Sequence, residues 1–390
     1  MRQSSIEYSE GNTKISIELN LDGTGISNIK TGNGFLDHML TAFSKHGHFD
    51  LNLSCQAKIF DKSVPVIGNV LGQAIRKALL TEDISLLGKA QNVIPMDEAL
   101  ISCVIGGGAA GKCAFKIKIP TKQCGAFNTN LVKPFFQELA KSSQMSLTFA
   151  MFFGENSHHI LEGAFKAFAK TLEEAIIPMA QIDKLNKVMS PETPRIAKVS
   201  RATKETDIKC TLILDGTGKA SINSGSKILD NLLIEFTKHA NFDLILTCNG
   251  DVDVDLHHTT EDIGIVLGTA ILKALGDLKG INRYAYKVYN NNQGDIVLSV
   301  VDICGRDTLN YKVKIDVERV GDFDTELIKE FLLGLTRNSK IALHMKSYLV
   351  NNDYNLMLCT FASLGETLGK AVRLNPDFSD ETVSTKGTLW

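Results

Sequence analysis

Four of the nine histidines fall in two adjacent pairs, His158–His159 and His257–His258, and a glutamate follows each pair, at Glu162 and Glu261. On a helix, positions i and i+4 share a face, so His158 with Glu162, or His257 with Glu261, can point at one place. Adjacent histidines diverge by about 100° around the helix axis, so one pair can serve two neighbouring metals. Imidazole with carboxylate suits borderline divalent ions such as Mn, Zn, Fe or Ni, and the ligand types alone do not choose among them. A single histidine such as His239 or His344 is more simply a packed or solvated residue. Two such clusters in one chain point to metal ligation.

The elements that must position these clusters occur twice. LNLDGTG at residues 19–25 returns as LILDGTG at 212–218, an offset of 193, and FLDHML and KHGHFDLNL return at that offset as ILDNLL and KHANFDLIL. After a three-residue gap, LGQAIRKAL from Leu71 matches LGTAILKAL from Leu267, and the new offset of 196 persists to FKAFAKTL against FASLGETL. SPETPR at 190–195 holds two prolines that disfavour a continued helix, which predicts domains over 1–190 and 196–390. Within each half, alternating segments such as TKISIELNL and LNLSCQAKI read as strands, and LDHMLTAFSKHG and NVLGQAIRKALL read as helices. The fold class is therefore α+β, with repeated β/α modules inside each half.

The 390 residues are 44% hydrophobic, enough for two substantial cores, and the net charge of −2 has both signs mixed along the chain. That excludes the clustered Lys and Arg of a nucleic-acid or polybasic membrane surface. No apolar run reaches the roughly 18 residues of a membrane span, and MRQSSIEYSEGN lacks the apolar core of an export signal. The eight cysteines form no CxxC pair, so a reduced, cytoplasmic protein is expected.

FLDHM, HGHFD, PMDEAL, GENSHHILEGAFKAF, HHTTEDIGIVLG, GR and STKG together resemble the imidazoleglycerol-phosphate dehydratase family, and the resemblance covers nearly the whole chain, twice. It implies a carbon–oxygen hydro-lyase of L-histidine biosynthesis that removes water from D-erythro-imidazole-glycerol phosphate to give imidazole-acetol phosphate. It also implies two ribosomal-S5-domain-2-like βαβ units per domain, two divalent metal ions per site, most simply Mn, and a homo-oligomer with sites between subunits. For 24 domains that means 12 fused chains.

Carried over residue by residue, the two halves are complementary. The first keeps His38 of FLDHM, His158, His159, Glu162 and Lys166, but has Asp61, Lys62 and Pro65 where the second has His257, His258 and Glu261. The second keeps that cluster, but has Asn231 opposite His38, and Tyr354, Asn355 and Leu358 opposite His158, His159 and Glu162. By the same resemblance Arg283, Arg306, Lys166, Ser384, Lys386 and the PMDEAL acid Asp97 face the substrate and its phosphate. Glu205, with Glu162 second, is the candidate acid/base. A further family metal ligand is Pro134 in the first half and Glu330 in the second, and the family glutamine after the FLDHM histidine is Ala42. Those departures motivate a rival reading, a catalytically decayed homologue kept as an assembly or regulatory partner.

Overall fold

The structure is a computed structural model that describes residues 2–80, 89–106, 111–176, 193–250, 256–291 and 294–375. These divide into two compact units, residues 2–176 and 193–375, and each follows the same plan.

In the first unit, strands β1 (Gln3–Glu10), β2 (Thr13–Asn20), β3 (Ser27–Lys30) and β4 (Asp50–Gln56) form a sheet in the order β1-β2-β4-β3. Alternation decides which face is buried: Ile15, Ile17 and Leu19 of β2 and Leu51, Leu53 and Cys55 of β4 point inward. Helix α1 (Gly34–Gly47) starts where the Asn33 side chain caps the N–H groups of Phe35 and Leu36, and stops at His48 in the left-handed region. Helix α2 (Phe60–Leu80) follows.

The module then repeats. Strands β5 (Ala90–Met96), β6 (Ala99–Gly106), β7 (Cys113–Lys116) and β10 (Ser146–Phe153) order as β5-β6-β10-β7, with a small hairpin of β8 (Gln123–Cys124) and β9 (Phe127–Asn128) beside them. Helices α3 (Val132–Ser143) and α4 (Ser157–Ala175) complete it. Helix α2 covers β1 and β2 and packs on α3, while α4 covers β5 and β6 and packs on α1, so two helix pairs tie one module to the other. The α2–α3 approach is too close for a side chain at Gly68, where a Cβ would lie 2.3 Å from the carbonyl oxygen of Phe135.

The second unit repeats this order with sheets β11 (Ile196–Ala202), β12 (Thr206–Ile213), β14 (Asp243–Gly250), β13 (Ala220–Asn223) and β15 (Tyr284–Asn290), β16 (Ile296–Ile303), β20 (Ile341–Leu349), β17 (Thr308–Lys312). A hairpin of β18 (Arg319–Val320) and β19 (Phe323–Asp324) again accompanies the second sheet. Its helices are α5 (Lys227–Ala240), α6 (His257–Leu275), α7 (Leu327–Ser339) and α8 (Asp353–Ala371). One apolar core runs through it from Ala197 to Val372. The close helix approach recurs, since a Cβ on Gly264 of α6 would sit 2.3 Å from the Phe331 carbonyl oxygen.

The repeated LDGTG motif has a structural job in both units. Arg195 forks onto Asp215 at 2.9 and 2.7 Å and reaches the Val372 carbonyl at 2.8 Å, locking the first strand to the end of the last helix. Arg2 does the same to Asp22 and Ile176 in the first unit. No helix among the described residues is long and apolar enough to cross a membrane.

Candidate metal centre and its surroundings

In the first unit, α1 and α4 bring together His38, His158 and Glu162, whose ligand atoms all lie within 4.8 Å of one another. Among the described residues this is the one such group of three. His38 Nε2 is 3.4 Å and His158 Nε2 3.3 Å from the same oxygen, Glu162 Oε2. The start of α4 is set by Asn156, whose side chain accepts from the His158 N–H at 2.9 Å. From that start the helical period carries Glu162 back under His158, as the spacing predicts.

Glu162 is buried, and burial alone would raise its carboxyl pKa. Hydrogen bonding to His38 and the charge of Lys166 overcome this and hold it well below the usual carboxylate range. Lys166 is itself only 4% exposed; its ammonium sits 2.7 Å from Glu162 Oε1 and 3.3 Å from the Met96 sulfur. Lys166, expected on the phosphate side, pairs with Glu162 Oε1, which leaves Oε2 to the histidines.

His159 points to a different place. Its Nδ1 lies 2.7 Å from Glu98 Oε2 and its Nε2 3.3 Å from Asp97 Oδ2. Asp97 and Glu98 form the two-residue turn between β5 and β6, with Asp97 at φ 49°. Asp97 was expected on the substrate side; Glu98, the other PMDEAL acid, had no role assigned to it.

In the second unit, α6 opens with His257 and His258. His257 Nε2 is 3.8 Å from Glu261 Oε2, and His258 Nδ1 is 3.7 Å from Glu205 Oε2. All four side chains are between 40% and 52% exposed, so this cluster is presented outward rather than enclosed. Glu205 is brought there by Asp262, which accepts from Arg201 Nε at 3.0 Å and from Thr206 Oγ1 at 2.6 Å and so ties the β11–β12 turn to α6. At the equivalent place in the first unit α2 begins with Phe60 and Asp61 and carries Pro65.

The remaining expected residues separate. Arg283, expected on the phosphate side, is 5% exposed; its Nε and Nη2 fork onto Asp302 at 2.8 and 3.2 Å, and its guanidinium lies 4.4 Å over the Tyr284 ring. Its backbone sits at φ 68°, in the left-handed region. Asp302, four residues before Arg306 on the CGR segment, was the missed partner. Arg306 is half-buried just beyond β16, and Glu330 lies half-buried in the first turn of α7. Ser384 and Lys386 lie outside the described residues. All eight cysteines are free thiols.

A model of the imidazoleglycerol-phosphate dehydratase family matches residues 31–172 and 224–368. The imidazoleglycerol-phosphate dehydratase of Methylorubrum extorquens is 41% identical over 195 residues, covering all of that protein and 50% of this chain. That of Lachnoclostridium phytofermentans is 42% identical over 195 residues, covering 98% of that protein and 50% of this chain. A crystal structure of the enzyme from Pyrococcus furiosus in complex with (S)-C348 is 31% identical, with a TM-score of 0.43, covering 49% of this chain and 99% of that one.

Proposed function

The chain belongs to the imidazoleglycerol-phosphate dehydratase family, and we propose that it converts D-erythro-imidazole-glycerol phosphate to imidazole-acetol phosphate in L-histidine biosynthesis, at sites to which each half contributes what the other lacks. The observation that carries this reading is the His38–His158–Glu162 group. Two imidazoles and a carboxylate kept ionised by Lys166 form a donor set that fits a borderline divalent cation such as Mn. His159 from the first half, and His257, His258 and Glu261 from the second, are the other ligands in this reading, and Glu330 is a further candidate.

The bound cations supply Lewis acidity toward the imidazole ring of the substrate. The chain's own residues do the rest. In the net reaction a C–H proton and the hydroxyl on the neighbouring carbon leave as water, and the resulting enol becomes the ketone. Glu162 is engaged by Lys166 and the two histidines, which leaves it a poor proton carrier. Glu205, half exposed and beside His258, is the better acid/base. Arg306, with Ser384 and Lys386, anchors the phosphate and fixes the reacting carbons relative to Glu205. Arg283, forked onto Asp302 of the strand that leads to Arg306, and Lys166 are further phosphate-side groups in this reading.

Twelve chains would make up a 24-domain homo-oligomer in this reading. The test is metal analysis of the purified protein together with an assay for imidazole-acetol phosphate. Metal and product together are expected. Bound metal with no product would instead favour the catalytically decayed assembly partner.

A further inference from the structure

Glu98 has two oxygens with two different tasks. Oε1 accepts from the backbone N–H of Asn156 at 2.8 Å and of Glu155 at 3.3 Å, holding the loop that leads into α4. Oε2 meets His159 Nδ1 at 2.7 Å. The carboxylate is delivered there by a turn so tight that Asp97 takes a left-handed backbone, which a non-glycine residue adopts at a cost of about 1 kcal/mol or more.

The second unit separates the two tasks. At the same place in its fold Asp295 accepts from Asn351 N–H at 2.6 Å and Asn352 N–H at 3.4 Å, so it holds the loop before α8. Its other oxygen takes Asn291 Nδ2 at 2.8 Å, and α8 carries Tyr354 and Asn355 in place of the histidines. Holding the loop is therefore common to both units, whereas gripping an imidazole belongs to the unit that has one at this position.

Carboxylates, which only accept hydrogen bonds, face both ring nitrogens, but Glu98 Oε2 is at 2.7 Å from Nδ1 while Asp97 Oδ2 is at 3.3 Å from Nε2; the shorter contact favours the proton of a neutral His159 on Nδ1 and leaves the lone pair on Nε2. We propose that Glu98 is a positioning residue that fixes this tautomer and the ring orientation of His159, so that Nε2 is presented to a divalent cation. The inference rests on the reading of His159 as a metal ligand. It extends that reading to a residue whose two oxygens are taken up by the ring of His159 and the backbone N–H groups of Glu155 and Asn156. Partners of this kind set the basicity and direction of the ligand they hold.

Glu98→Gln is the test, in the full chain. Gln keeps an oxygen for the Asn156 and Glu155 N–H groups but turns an amide NH2 toward Nδ1. That demands an acceptor there and moves the ring proton to Nε2. Mn²⁺ titration of chelator-treated protein, followed calorimetrically without substrate, should show affinity reduced about 10- to 100-fold at one class of site, with the thermal unfolding midpoint unchanged. A double-mutant cycle guards against a general structural effect: in a His159→Gln background, Glu98→Gln should cost no further affinity. Unchanged Mn²⁺ affinity in Glu98→Gln, or an equal loss in both backgrounds, would overturn the proposal. Wild-type protein that binds Mn²⁺ but yields no imidazole-acetol phosphate would sink the dehydratase reading and leave this one standing; a wild-type chain that binds no Mn²⁺ would end both.

Discussion

Asn231 Nδ2 donates to Tyr354 Oη at 3.1 Å, between α5 and α8 of the second unit. His38 and His158 occupy the same two helix positions in the first unit, with ring centroids 5.5 Å apart over Glu162. One geometry thus serves as a candidate ligand set in one unit and as a neutral hydrogen bond in the other. Each candidate ligand accordingly exists once per chain, and no second copy can cover its loss. His158→Ala and His257→Ala should each lower bound metal and reduce dehydration by at least about 100-fold, in line with loss of a metal ligand or its support. Asn231→Ala should leave metal content unchanged. Full activity in either histidine variant, measured as imidazole-acetol phosphate formed, would rule out complementary halves.

How much of this was legible in the sequence depends on the range of each interaction. His158 and Glu162 are one helical turn apart, so the period alone aligns them, and the Asn156 cap is a local signal too. Glu98 meets a backbone 58 residues away and Arg283 meets Asp302 across two paired strands, and neither pairing leaves a mark in spacing. Lys166 and Arg283 were expected on the phosphate side from the resemblance alone; that each is an interior group paired with a carboxylate, Glu162 and Asp302, is a packing fact that spacing does not carry.

The two arginines of the second unit should therefore respond differently to replacement. Arg283→Met strands the carboxylate of Asp302, which is 1% exposed. Removing one partner of such a pair costs about 3 to 5 kcal/mol, which denaturant unfolding would register. Arg306→Ala should leave the unfolding curve in place and weaken substrate binding by about 1.5 to 3 kcal/mol, the range for a hydrogen bond to a charged group. If Arg306→Ala loses metal or stability instead, the residue has been placed in the wrong part of the site.

Acid sensitivity should come partly from Glu173, at the end of α4. Burial alone would raise its pKa, but the charge of Lys170 and a hydrogen bond to His48 at 2.6 Å bring it down to about 2. A carboxyl whose folded value lies below its unfolded value stabilises the protein above the unfolded value, near 4.3. That stability is lost as pH falls from there toward 2. With 23% of the side chain still exposed, the contribution at neutral pH is about 1 to 2 kcal/mol. Glu173→Gln should be less stable than wild type at pH 7 and should lose less on going to pH 3. Parallel stability curves for the two proteins between those pH values would remove Glu173 as a source of the acid limb.

The final prediction concerns the fusion itself. Each unit has both sheets and all four helices of the repeated plan, and the second has a continuous apolar core of its own. Residues 1–190 and 196–390 expressed separately should therefore each fold cooperatively. On the proposed reading each should also be inactive at any metal concentration, because the His158–Glu162 cluster lies in one and the His257–Glu261 cluster in the other. Mixing should restore activity. Covalent linkage fixes the one-to-one ratio and raises the effective concentration of each half for its partner, so the separated pair should need more protein to reach the same rate. A titration of one half against a fixed amount of the other should saturate near equimolar ratio. Sustained turnover by either half alone, with no gain on mixing, would mean that the losses at Asp61, Lys62, Asn231 and Tyr354 do not describe the active site.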